Sequence, residues 1–181
     1  MRVRLGIATD GNLAMKEEIG AVAVSLKIAD SMALFILMAA EGTVNRSGTG
    51  AINNSEHDLF IGLSQDRLFQ RFMDGVDEDI FQHTGSYVYP EPKGQLCTLT
   101  LSFQVPPGAD GRDNVGFEFV YGSESEGPNR QINQMVREAV RLTEPWYEQQ
   151  KQMVKKAHNS PAQAAPMRKA SRFLGKLFRP K

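Results

Sequence analysis

The chain has 181 residues, and 41% of them are hydrophobic, which is enough for one folded domain with its own core. Its 21 Lys and Arg residues balance its 21 Asp and Glu residues, so the formal net charge is zero. The single cysteine, Cys97, excludes an internal disulfide, and no apolar run follows the basic start directly, so we expect a cytoplasmic protein without a signal peptide.

The zero net charge conceals two oppositely charged parts. Residues 1–148 contain 12 Lys and Arg and 21 Asp and Glu, which gives a net charge of −9. Residues 149–181 contain nine Lys and Arg and no acidic residue, which gives +9. An asymmetry of this kind indicates that the basic part has an interaction partner of its own.

The most apolar stretch, residues 19–40, has about the length of a membrane span. Lys27 and Asp30 lie near its middle, where each would cost about 3 kcal/mol. The uninterrupted part, residues 32–40, is too short to cross the hydrocarbon core as a helix. The sequence therefore excludes a transmembrane helix here.

Short strands are predicted on both sides of Asp30. Apolar and small or polar residues alternate over 21–28, which predicts a strand. Residues 32–40 fit either a helix or a fully buried strand, and we favour a strand that turns at Glu41-Gly42 and returns through 43–46. We assign residues 1–31 to an N-terminal extension that contains one possible strand.

A helix is predicted over residues 64–82, after a short strand at 58–62. Gly75 weakens it, and Asp77-Glu78-Asp79 can open a short second turn through Ile80 and Phe81. Ser64 is a favourable N-cap, and Leu63 and Leu68 stand at the positions of a hydrophobic staple.

The central feature of the sequence is a pair of antiparallel strands, residues 96–105 and 115–121. The residues between them are rich in Pro and Gly, which favour a loop. Upstream, residues 87–89 fit a short strand or an extended aromatic segment. One face of the pair is apolar and consists of Cys97, Leu99, Leu101, Phe103, Val105, Val115, Phe117, Phe119 and Tyr121.

A second helix is predicted over residues 128–156, with a break near Pro145. Pro128 suits the first helical turn, where its missing N–H costs nothing. A single apolar stripe, which we expect to pack on the Leu99 and Phe117 face, consists of Ile132, Met135, Val136, Ala139 and Val140.

The last segment, residues 167–181, is predicted to be a basic amphipathic tail that follows a flexible linker at 157–166. On a helical wheel its basic arc consists of Arg168, Lys169, Arg172, Lys176 and Arg179. A separate apolar arc consists of Met167, Ala170, Phe173, Leu174, Leu177 and Phe178. This pattern is typical of contact with an anionic membrane surface or a partner groove, and a solvated or self-docked tail is the alternative. Nucleic acid is a weaker partner, because the aromatic residues face away from the charges and the acidic body repels phosphates.

One constellation of residues offers an enzymatic alternative. His57 is flanked by acids in the loop 53–58, and Glu124 and Glu126 lie in 123–127, between a strand and a helix. Carboxylates can orient a histidine as a general base. No spacing for a metal, a phosphate loop or a dinucleotide is present, so no cofactor is expected.

These observations predict an α+β fold. We expect an antiparallel sheet of about four to six strands, with two main helices packed on one face and a flexible basic tail. The globular domain is predicted over residues 32–156. The function we expect is that of a non-enzymatic adaptor or binding protein, with a small enzyme as the alternative, and homo-oligomerisation is left open.

Overall fold

The computed structural model describes residues 16–50, 58–106 and 115–159, and the backbone of residues 3–5. These residues form two α-helices, α1 (Leu68–Asp74) and α2 (Arg130–Asn159), and two 3-10 turns, Lys16–Glu18 and Glu78–His83. The strands are β1 (Val3–Leu5), β2 (Ala21–Ile28), β3 (Ser31–Ala39), β4 (Thr43–Gly48), β5 (Phe60–Leu63), β6 (Gly85–Val88), β7 (Leu96–Gln104) and β8 (Val115–Gly122).

The eight strands form one sheet in the order β1-β6-β8-β7-β2-β3-β4-β5. Each neighbouring pair is antiparallel except β6 and β8, which run parallel. The α+β fold is therefore confirmed. The sheet has more strands than the four to six predicted. β1 has only three residues, too few for a visible alternation, and β6 overlaps residues 87–89, for which a strand was one of two predicted alternatives.

The central pair, β7 and β8, has the predicted apolar face. Leu99 pairs with Phe119 and Leu101 with Phe117, so their side chains lie on the same side of the sheet. Beside them, Val24 of β2 pairs with Leu101 and continues this face. The alternation of apolar residues therefore determines which face of the sheet becomes the core.

Both helices cover this same face. Phe72 of α1 and Ile132 and Ala139 of α2 are buried in the cluster that contains Leu101 and Phe117. The predicted packing of two helices on one face is confirmed. Full burial of an apolar side chain stabilises the fold by about 1.5–3 kcal/mol, so this layer is the main source of stability.

The N-terminal boundary of the folded body differs from the prediction. Strand β2 lies between β7 and β3 in the interior of the sheet, so the body begins before Met32. Val22 and Val24 are fully buried. The strand prediction for residues 32–40 is confirmed by β3. This strand pairs with β2 and β4, the strands that precede and follow it in the chain.

Helix α1 begins later than predicted. The Ser64 hydroxyl accepts the N–H of Asp66 in a local turn, and the helix starts at Leu68 after Arg67, whose φ is +52°. The short second turn predicted from Asp77 onward is present as a separate 3-10 turn, Glu78–His83, and the Asp77 carboxylate caps it by accepting the N–H of Asp79. Short polar side chains that bond their own backbone compete with the helix at both places.

Helix α2 is continuous where a break was predicted. Pro145 lies inside it, and the helix extends to Asn159, into the segment assigned to a linker. Buried Leu142 and Trp146 lie on either side of Pro145. Packing on both sides of the proline stabilises the helix against the loss of one backbone hydrogen bond. The chain divides into two units at residue 148, and the last 11 residues of α2 belong to the second.

Candidate functional site

The predicted site residues fall into two groups. His57 and the basic segment 167–181 lie outside the described residues. Glu124 and Glu126 are described, and both are exposed in the connection between β8 and α2. The proposed approach of His57 to either carboxylate stays a prediction.

The turn that carries Glu124 is held by structural hydrogen bonds. The Ser123 hydroxyl accepts the N–H of Gln95, and the Ser125 hydroxyl accepts the N–H of Lys93. The backbone N–H groups of Ser123 and Glu124 donate to the carbonyls of Gln95 and Lys93. The serines of this turn therefore fix one loop against another.

Gly122 supplies the close approach that this turn needs. A Cβ at this position would lie 2.0 Å from the backbone oxygen of Lys93. We expect Gly122→Ala to lower the free energy of unfolding by about 1–3 kcal/mol through overpacking. Urea unfolding measures the change. Gly75→Ala is the matched control, because its Cβ would lie 3.5 Å from the Phe72 oxygen at an ordinary φ, and equal destabilisation by both variants would contradict this prediction.

The described ends of the two predicted catalytic loops lie on distant strands. Asp58, which follows His57, precedes β5 at one edge of the sheet, whereas Glu124 follows β8. Four strands separate β5 from β8, so five interstrand steps of about 4.8 Å place these strands about 24 Å apart. The structure does not bring Asp58 and Glu124 together.

The end of α2 is an amphipathic helix whose side chains are exposed over residues 152–158. Met153 and Val154 are 48% and 43% exposed. Lys155 and Lys156 follow them and are also exposed. On the helical wheel the two apolar side chains share an arc of about 100°, separate from the lysines.

A cleft lies between the start of α2, strand β6 and the 3-10 turn at 78–83. Its volume is about 380 Å³, within the range of small-molecule sites. We call it the aromatic cleft. It is lined by Ile80, His83, Tyr87, Val88, Tyr89, Phe117, Phe119, Asn129, Gln131 and Ile132.

The wall of the aromatic cleft contains parallel rings. Tyr87 stacks on Phe119 with centroids 4.9 Å apart and planes at 12°, and Phe117 lies parallel to Phe119 at 9°. The hydroxyls of both cleft tyrosines are engaged, since Tyr87 donates to the His83 carbonyl and Tyr89 donates to the Gly127 carbonyl at 2.7 Å. These rings therefore present mainly apolar surface.

Sequence reasoning missed this cleft, although part of the signal was present. Tyr87 and Tyr89 alternate with Val88, and Phe117 and Phe119 belong to the predicted apolar face. The parallel pairing of β6 with β8, which sets Tyr87 beside Phe119, joins strands that are far apart in the chain. No local pattern predicts that pairing.

A second missed feature is a buried charge on β4. Arg46 is 0% exposed and lies on the face covered by α2. Its guanidinium donates to the Thr143 hydroxyl at 2.9 Å and the Glu144 carboxylate at 3.0 Å. The guanidinium carbon lies 5.2 Å from the centroid of the Tyr147 ring. Burial lowers the pKa of Arg46, and the Glu144 charge opposes this effect.

Cys97 is buried, as predicted for a core thiol. Burial raises the pKa of its thiol, so less thiolate forms near neutral pH. We expect slow labelling by Ellman's reagent in the native protein and rapid labelling in urea. Fast native labelling would contradict an inert core position.

The raised pKa of Cys97 also gives a pH dependence. The folded thiol keeps its proton to higher pH than the unfolded thiol, whose ordinary pKa is about 8.5. Its stabilising contribution is complete below that pH and is lost as the pH rises through the folded value. We expect Cys97→Ala to show a smaller alkaline loss of unfolding free energy than the wild type, and equal losses would contradict this.

Comparison of the chain with family models, curated proteins and solved structures found no match. Within the described ranges, no group of three or more His, Cys, Asp or Glu side chains is placed to hold a metal ion. No helix in the same ranges is long and apolar enough to cross a bilayer.

Proposed function

We propose that this protein is a non-enzymatic adaptor that its basic segment recruits to an anionic membrane surface. The observation that carries the proposal is the exposed amphipathic end of α2. Met153 and Val154 are exposed on a helix that also bears Lys155 and Lys156, and residues 157–166 separate them from the basic segment 167–181. The interacting surface would therefore begin in α2, before the segment 167–181 to which the sequence pattern assigns it.

The charge distribution supports contact between the basic part and an anionic surface. The part that precedes residue 149 has a net charge of −9, and an anionic surface would repel it while attracting the +9 part. Repulsion of residues 1–148 and attraction of residues 149–181 would together orient the protein with residues 1–148 away from the surface. Each Lys or Arg near an anionic leaflet contributes about 1 kcal/mol.

The apolar arc of residues 167–181 supplies the second component. Phe173, Leu174, Leu177 and Phe178 fall opposite the basic arc, as in helices that lie in the interfacial plane. A segment of this length is marginal as a helix in water, so burial of the apolar arc would have to offset the entropy of ordering it.

Cosedimentation with vesicles tests the proposal. The full chain is compared with a truncation after Asn159, which keeps all of α2, on phosphatidylcholine vesicles with and without phosphatidylserine. We expect binding of the full chain to the anionic vesicles, strong weakening by salt, and a large loss on truncation. Absence of binding, or equal binding to neutral vesicles, would contradict it and would favour a partner protein groove.

The alternative is a small enzyme with His57, Glu124 and Glu126 at its site. It has less support, because Asp58 precedes β5 and Glu124 follows β8, and four other strands lie between β5 and β8.

A further inference from the structure

The proposed membrane contact does not include the aromatic cleft. It lies at the start of α2, whereas the proposed contact begins at residue 149, at the end of the same helix. Tyr87 and Tyr89 are only half-buried although they contact the core. Aromatic rings that remain partly accessible in a preformed concavity are the usual basis of a binding site.

The ring geometry selects a flat ligand. The ring planes of Tyr87 and Phe119 differ by 12°, and those of Phe117 and Phe119 differ by 9°. An aromatic ligand gains from offset stacking on such a wall, beyond the area that it buries. A branched or puckered ligand of the same size does not.

The described part of the rim favours an uncharged ligand. Among the residues that the structure describes, the ten that line the cleft include no Asp, Glu, Lys or Arg. Asn129 and Gln131 are exposed at the rim, and each carries an amide that can donate and accept hydrogen bonds. The side-chain oxygen Oδ1 of Asn129 accepts the backbone N–H of Ile132 at 2.9 Å, which fixes this side chain at the helix start.

We propose that the aromatic cleft binds an uncharged planar aromatic molecule that carries a hydrogen-bonding edge. Its ring stacks against Tyr87 and its polar edge meets Asn129 and Gln131. The proposal is independent of the membrane contact, since it uses no residue after Ile132.

The test is a titration of the full chain with indole, followed through the NMR methyl signals of Ile80 and Ile132, which line the cleft. Cyclohexanol, an uncharged ring that is not planar, is the control ligand. Gln131→Trp places a bulky side chain at the exposed rim and is expected to abolish binding. Gln134→Trp is the matched control, because Gln134 is also exposed on α2 but does not line the cleft. Tyr87→Leu removes the stacking partner and is expected to weaken binding about fivefold to tenfold.

The proposal is supported if indole causes saturable methyl shifts that are stronger than those with cyclohexanol. These shifts should be lost in Gln131→Trp and kept in Gln134→Trp. Absence of saturable shifts, equal binding of cyclohexanol, or the same effect of Gln134→Trp would overturn it. Because both glutamines are exposed, these two variants test the cleft even where Tyr87→Leu fails to fold.

Discussion

Arg46→Ala is expected to lower the free energy of unfolding by about 3 kcal/mol. The substitution removes a fully buried side chain and leaves a void between β4 and α2. It also removes the partner of Thr143 and Glu144. Glu144 is 41% exposed, so water partly compensates its lost partner, which sets the cost at the lower end of the range for broken buried pairs.

Arg46→Met separates the effect of charge from that of volume. Methionine fills much of the arginine stem, and it needs no counter-charge among the apolar neighbours. Replacement of a buried ion pair by apolar groups is often neutral, so we expect a loss below about 1 kcal/mol. Urea unfolding of both variants measures the difference. If Arg46→Met costs as much as Arg46→Ala, the hydrogen bonds to Thr143 and Glu144 matter more than packing.

Reversal of the basic arc is expected to weaken binding to anionic vesicles about a thousandfold or more. At about 1 kcal/mol for each cation, loss of five charges removes about 5 kcal/mol. The measurement is the partition coefficient of the variant against that of the wild type on phosphatidylserine-containing vesicles. The five substitutions are Arg168→Glu, Lys169→Glu, Arg172→Glu, Lys176→Glu and Arg179→Glu.

A control with an equal change in net charge shows whether vesicle binding depends on the basic arc itself or on the net charge of the protein. Five cations of residues 1–148 are exposed, lie far in sequence from the basic segment and are reversed to glutamate in this control: Lys27, Arg67, Arg71, Lys93 and Arg130. Their reversal is expected to change vesicle binding far less. If body and segment reversals weaken binding equally, net charge alone controls association.

The central strands could be predicted because their pattern is local and repeated. Leu99, Leu101, Phe117 and Phe119 alternate with polar or small residues, and a strand with one buried face requires that alternation. The stripe that begins at Ile132 was predictable for the same reason, because an apolar residue on every turn of a helix marks its buried side.

Features that depend on distant contacts were not predictable. Arg46 is an arginine in a polar stretch, and only the packing of α2 on β4 buries it. Pro145 predicts a break from local chemistry, but Trp146 packs on Gly62 and donates to the Leu63 carbonyl at 3.2 Å. Those tertiary contacts stabilise the helix through the proline.

The most direct test of membrane recruitment is the fluorescence of a tryptophan placed in the apolar arc. Phe173→Trp reports on that arc, and the truncation after Asn159 gives the contribution of buried Trp146 alone. If the segment lies on the membrane, emission from the substituted chain shifts to the blue with phosphatidylserine-containing vesicles and is quenched when these vesicles contain brominated lipid. Neither change is expected with neutral vesicles. Emission that does not change with anionic vesicles would contradict recruitment by this segment.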